Sequence, residues 1–94
     1  MKLEQGTSFV VKGLWEGVLP GRSIRGQFTI IGLPMRARQK RDLVVEYRGR
    51  QLKFNVVSGR LRNRTEALMG MITHIAKVTN DPTHVKWIPL GEVI

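Results

Sequence analysis

The chain has 94 residues, 41% of them apolar and 24% charged, with 16 Lys and Arg against 7 Asp and Glu, for a net charge of +9. This length gives one domain with one modest core, and this balance excludes a wholly disordered chain. With no Cys there is no disulfide framework and no Cys-ligated metal site; no apolar h-region follows Met1, and no apolar run approaches the roughly 18–20 residues of a membrane span. A soluble, cytoplasmic protein with no membrane association is expected, and the start at Met reads as a complete small gene product.

Phe9 to Trp15 reads as a first strand, closed at Gly17 and followed by a turn at Pro20-Gly21. Ile24 to Leu33 reads as a second, with Gly26, Phe28 and Ile30 on one face and Arg25, Gln27 and Thr29 on the other. Gly26 and Gly32 mark a bulge or sharp bend, and Pro34 ends the strand. Met35 to Arg41 carries four bases among its seven residues and reads as an exposed loop or the rim of a binding face.

Leu43 to Val57 carries the clearest local signal, a β-hairpin. A two-residue turn at Gly49-Arg50 sets Tyr47 against Leu52, Val45 against Phe54 and Leu43 against Val56, all on one face. The other face then pairs Arg48 with Gln51, Glu46 with Lys53 and Val44 with Asn55. A one-residue slip would scatter both sets.

Ser58-Gly59 breaks that pattern. Asn63 followed by Glu66 resembles a capping box, and Leu68, Met71, Ile72, Ile75 and Ala76 recur at helical spacing, which predicts an amphipathic helix ending at Asn80-Asp81-Pro82. Gly70 within it costs about 1 kcal/mol relative to Ala and points to another backbone packed close by, from the chain's own sheet or a second subunit. Val85 to Ile88 reads as a last strand. The expected fold is α+β: a small antiparallel sheet or open barrel, β-β-β-β-α-β, with one amphipathic helix packed on it as a single domain spanning residues 1–94.

The charge is not evenly spread. Arg22 to Arg64 holds 12 of the 16 basic residues and only two acids, Asp42 and Glu46, so this segment alone carries +10. Its bases are ten Arg and two Lys, a bias toward the planar fork that pairs bidentately with phosphate and guanine edges. Such a field selects polyanionic partners, most often nucleic acid. The hairpin and its approaches supply the candidate nucleic-acid-binding residues: Arg36, Arg38, Lys40 and Arg41 before it, Arg48, Arg50 and Lys53 on it, and Arg60, Arg62 and Arg64 after it. Three Arg beside a helix start oppose its macrodipole, and a phosphate bound there would relieve the conflict.

Chemistry beyond binding is hard to assemble. His74 falls on the polar side of the expected helix and His84 opens the last strand. Asp81 beside His84 is too little for a metal, so neither metal nor cofactor is expected. Gly49 and Gly59 are isolated turn glycines, not a phosphate loop. The Arg-rich stretch resembles the Arg motif of cyclic-dinucleotide-binding PilZ domains, but their companion motif is not met: Asn55 and Ser58 are three apart where the motif needs two. Phe28, Tyr47 and Phe54 read as core, which leaves Trp15 and Trp87 as the aromatics free to stack, so a phosphate-backbone grip fits better than base stacking.

The first reading is therefore a non-enzymatic nucleic-acid-binding protein, an accessory or regulatory factor, with DNA set slightly ahead of RNA. Two others stand beside it. One is an interaction module or assembly subunit docking on an acidic protein surface. The other is a small ribonuclease toxin of the RelE or MazF kind, with Glu46, Tyr47, Arg48 and His74 as its chemistry. A homodimer stays open.

Overall fold

A computed structural model describes residues 2–17, 21–33 and 41–93. Alternation of apolar and polar side chains builds its strands. In β1 (Ser8–Trp15), Phe9 and Val11 are buried while Lys12 and Leu14 are exposed; in β3 (Gln27–Gly32), Phe28 and Ile30 are buried. The same alternation continues through β4 (Asp42–Tyr47), β5 (Arg50–Asn55) and the short β6 (Arg60–Arg62), and is interrupted in the long β7 (Leu68–Lys77). Two-residue strands β2 (Ser23–Ile24) and β8 (Ile88–Pro89) flank β1 and β7.

Neighbouring strands pair antiparallel in the order β1-β3-β4-β5-β6-β7, and β7 returns to pair with β1. Six strands thus close into a barrel, which removes the exposed edges an open sheet would leave. Phe9, Phe28 and Phe54 meet at its centre, with ring centroids 5.9 Å and 6.0 Å from Phe9. From Phe28 the contact passes to Tyr47 at 4.9 Å, and from Tyr47 to Trp15 at 5.7 Å, so an aromatic column runs from the core toward one end.

The α+β expectation fails at a single element. Leu68–Lys77 is a strand, and among the described residues the only helical turns are short 3-10 segments at Pro82–His84 and Leu90–Glu92. The cause is a bulge. Lys12 pairs with His74 and Gly13 with Ile72, so Thr73 is an extra residue, fixed by its hydroxyl donating to the Lys12 carbonyl at 3.2 Å. One inserted residue turns the inward spacing from i, i+2 into i, i+3, and Ile72, Ile75 and Ala76 are buried at the i, i+3, i+4 intervals of a helix. Asn63 does cap, but it caps a loop: its Oδ1 accepts from Thr65 N at 2.9 Å and Ala67 N at 3.0 Å. Glu66, at φ 69°, turns the chain out of any helical path. The expected phosphate site at a helix start falls with the helix. Gly70 packs as anticipated against the chain's own sheet, since a Cβ there would lie 2.8 Å from the Leu14 carbonyl oxygen. The expected last strand shrinks to β8.

The β4–β5 hairpin keeps its faces but not its register. Leu43, Val45, Tyr47, Leu52, Phe54 and Val56 are all buried. Their partners differ: Tyr47 faces Arg50, Val45 faces Leu52 and Leu43 faces Phe54. The turn sits on Arg48-Gly49, at φ 48° and 78°, the two positive values of a type I′ turn. Moving the turn by one residue shifts each partner by two, which preserves the inward set, so the apolar pattern fixes parity and the turn fixes register. Lys53 consequently lies opposite Val44 rather than Glu46.

Candidate nucleic-acid interface

Each hairpin reverses the chain, so alternate turns fall at the same end of the barrel. The β1-to-β2 connection, the β4–β5 turn and the β6–β7 loop share one end, with Arg22, Arg48, Arg50 and Arg64, and Arg25 lies nearby where β2 runs on into β3 along β1. The opposite end receives the start of β4 and the start of β6, with Arg41 and Arg60. At about 3.3 Å per residue the strand between Arg41 and Arg48 separates them by roughly 20 Å. Lys53 and Arg62 face one another on the outer wall between the two ends. Arg36, Arg38 and Lys40 lie outside the described residues. Of the residues named from sequence, Arg50 links Arg48 to Arg64, Lys53, Arg60 and Arg62 form a second cluster, and Arg41 stands apart.

The first end holds a cleft of about 700 Å³. Trp15, Tyr47, Leu52 and Met69 supply its apolar surface; Arg22, Arg25, Arg48 and Arg50 stand around it, with Glu16 the one acid. Local chain geometry builds this arrangement. Between Leu61–Gly70 and Arg62–Leu68 the β6–β7 register shifts, leaving Met69 as an extra residue that packs against the core while lining the cleft. Gly26, at φ 134°, lets the Tyr47 ring pass, since a Cβ there would meet the ring at 2.7 Å. The Tyr47 hydroxyl then donates to the Arg25 carbonyl at 2.8 Å, which ties the β2–β3 bend to the hairpin.

Arg48 is the least comfortable residue of the site. It holds a left-handed backbone at a turn position that favours Asn, Asp or Gly, at a cost of about 1–2 kcal/mol. Its guanidinium lies 5.3 Å from the centroid of the Tyr47 ring. Strain kept at a cationic side chain on the rim of a cleft marks the position as a functional candidate.

A shallow groove bounded by Arg50, Gln51, Leu52, Asn63 and Arg64 leads away from the cleft, sharing Arg50 and Leu52 with it. Beyond it, Lys53, Arg60 and Arg62 line a wall groove that also contains Asp42 and Glu66. There the positive field is partly cancelled. Lys53 pairs with Glu66, and that hydrogen bond, with the charges of Lys53 and Arg62, holds the Glu66 carboxyl below its ordinary value. Asp42 is engaged by Asn55, whose amide donates to it at 2.9 Å.

Arg22 and Arg25 were not among the candidate nucleic-acid-binding residues, Trp15 was named only as an aromatic free to stack, and Tyr47 only as core or as part of the ribonuclease alternative. The parity of the turns could have found Arg22, which follows the first chain reversal and so falls at the same end as the β4–β5 turn. Neither His belongs to the cleft. His74 sits on β7 with its ring beside the Thr73 hydroxyl at 2.8 Å, and His84 closes a 3-10 turn against Asp81. Asp81 is held below its ordinary value by hydrogen bonds from Thr83, first from its hydroxyl, and by His84. Among the described residues no three His, Cys, Asp or Glu gather as a metal would require, and no helix is long and apolar enough to cross a membrane. Comparison with protein-family models, curated proteins and solved structures gave no match.

Proposed function

We propose that this protein is a non-enzymatic nucleic-acid-binding protein that holds the phosphate backbone at the arginine-lined end of its barrel. The observation that carries the reading is the convergence of Arg22, Arg25, Arg48 and Arg50 on one cleft with a single carboxylate, Glu16. Arg22 and Arg25 flank β2 while Arg48 and Arg50 lie at the β4–β5 turn, so it is the fold that gathers two distant segments. Guanidinium groups at a concave, weakly countered site raise the local concentration of phosphate and pair with it bidentately.

Fluorescence anisotropy with labelled DNA and RNA over a series of salt concentrations tests this. Four phosphate contacts give a log–log salt slope between about −3 and −4. Replacing Arg48 and Arg50 together with Ala lowers that slope by about two, whereas Arg41→Ala, at the other end, leaves it unchanged. Absence of binding at low salt, or equal loss from both variants, refutes the reading.

A further inference from the structure

The cleft is not only cationic. Its floor is Trp15, Tyr47, Leu52 and Met69, of which Trp15 and Met69 are partly buried against the core and keep a face toward the cleft. A duplex shows a protein end of this kind only phosphates and stacked bases sealed between two backbones, so an apolar floor has nothing to receive from it. A single strand offers both an unpaired base for the floor and phosphates for the rim. The shape agrees. The arginines stand around an open cleft of about 700 Å³, room enough for one nucleotide to lie against its apolar lining.

The site also continues. Arg50 and Leu52 belong both to the cleft and to the groove that ends at Arg64, so the cations form a path from Arg22, Arg25 and Arg48 through Arg50 to Arg64. A free nucleotide would need only the cleft; a polymer uses the path. Glu16, the one rim carboxylate, is an acceptor for the imino N–H of thymine, uracil or guanine, which pairing conceals in a duplex.

We infer that the barrel end is a single-stranded nucleic-acid site, in which an unpaired base lies on Trp15 and the backbone follows Arg48, Arg50 and Arg64 outward. This inference rests on the nucleic-acid reading given above and narrows it to one strand state.

The chain has two Trp, Trp15 in the cleft and Trp87 outside it. Trp87→Phe makes Trp15 the sole indole reporter. This variant is titrated at one salt concentration with a twelve-residue oligothymidylate, the matching oligouridylate, a duplex of equal length and a mononucleotide. Either oligomer is expected to quench Trp15 and to bind roughly ten- to a hundredfold more tightly than the duplex, the range set by one stacked base. The mononucleotide is expected to bind more weakly than the oligomers. Arg64→Ala, outside the cleft, should weaken the oligomers and leave the mononucleotide unchanged. Duplex binding as tight as that of the oligomers, or oligomer binding without a change at Trp15, overturns the single-strand assignment while leaving nucleic-acid binding in place. Mononucleotide and oligomer affinities that are equal overturn the path to Arg64. No binding of any probe at low salt removes the nucleic-acid reading and this inference with it. Because Trp15 packs on the core, Trp15→Phe is the substitution used to confirm stacking, with thermal unfolding as its control.

Discussion

Gly13→Ala tests the closure of the barrel. A Cβ at Gly13 would lie 2.1 Å from the Met71 carbonyl oxygen and 2.8 Å from the Ile72 Cα, both backbone atoms of β7. Ordinary van der Waals contact begins near 3.4 Å, so the strand itself must move by more than an ångström. Neither strand is free to do so. β1 is held by β7 on one side and by β2 and β3 on the other, and the β1–β7 pairing runs from Phe9–Lys77 to Trp15–Gly70. Overpacking of this kind costs about 1–3 kcal/mol and more where relaxation is blocked. Against it stands about 0.4–1 kcal/mol gained by stiffening the unfolded chain. The net loss is about 2 kcal/mol, which for a domain of this size lowers Tm by about 8–16 °C. Circular dichroism melts of Gly13→Ala beside Gly21→Ala make the comparison, because nothing lies within 4 Å of a Cβ at Gly21. If the two variants melt together, β1 and β7 do not meet as described and the barrel is open.

Three further outcomes are expected. Arg48→Gly removes left-handed strain worth about 1 kcal/mol and a stacking contact of about 0.5–1 kcal/mol, so its Tm should stay within a few degrees of the parent while nucleic-acid affinity falls; a large Tm loss would show that Arg48 serves the fold. Tyr47→Phe deletes the hydroxyl that donates to the Arg25 carbonyl at 2.8 Å, which should cost about 1 kcal/mol in urea melts and weaken binding by loosening the bend that carries Arg25; unchanged stability would mean that the bond does not form. Glu66 has a depressed folded-state value, first through its hydrogen bond from Lys53, so its contribution is present above the ordinary value of 4.5 and is lost as pH falls below it. Lys53→Met should bring Glu66 back toward that ordinary value in an NMR pH titration. Because both groups are exposed, the accompanying change in stability should be small and should fade at high salt.

Period-2 alternation made β1, β3, β4 and β5 legible in the sequence, since each buries one face and shows the other. β7 was not, because a bulge at Thr73 and another at Met69 interrupt its alternation and leave the i, i+3, i+4 spacing of a helix. Composition pointed the other way: Ile72, Thr73 and Ile75 are β-branched, and Gly70 sits mid-element, a combination that suits a strand packed closely on its neighbour better than a helix. The hairpin register was underdetermined for a different reason. An apolar pattern of period two cannot distinguish registers that differ by two, and only the positive φ at Arg48, a residue that rarely takes it, places the turn. For the site, the residue type was legible and its gathering was not: a run of arginines states a charge, whereas which of them meet depends on strand parity.

That parity also explains why the charge forms an end rather than a belt. In an antiparallel meander, successive turns alternate between the two ends, so a basic run longer than one strand must be divided. Here the division is uneven. The β1-to-β2 connection, the β4–β5 turn and the β6–β7 loop all deliver arginines to the cleft end, and Glu16 is the one acid that lines the cleft. Midway along the wall, Glu66 and Asp42 lie among Lys53, Arg60 and Arg62 and lower the field there. A strand held at the cleft would therefore meet its strongest attraction where the apolar floor is and a weaker one along the wall. On this ground Glu66→Gln is expected to lengthen the stretch of single strand protected from nuclease, by extending the cationic path from Arg64 toward Lys53 and Arg62, without tightening the binding of a short oligomer that occupies the cleft alone. An equal gain for short and long oligomers would mean that the wall and the cleft are not joined.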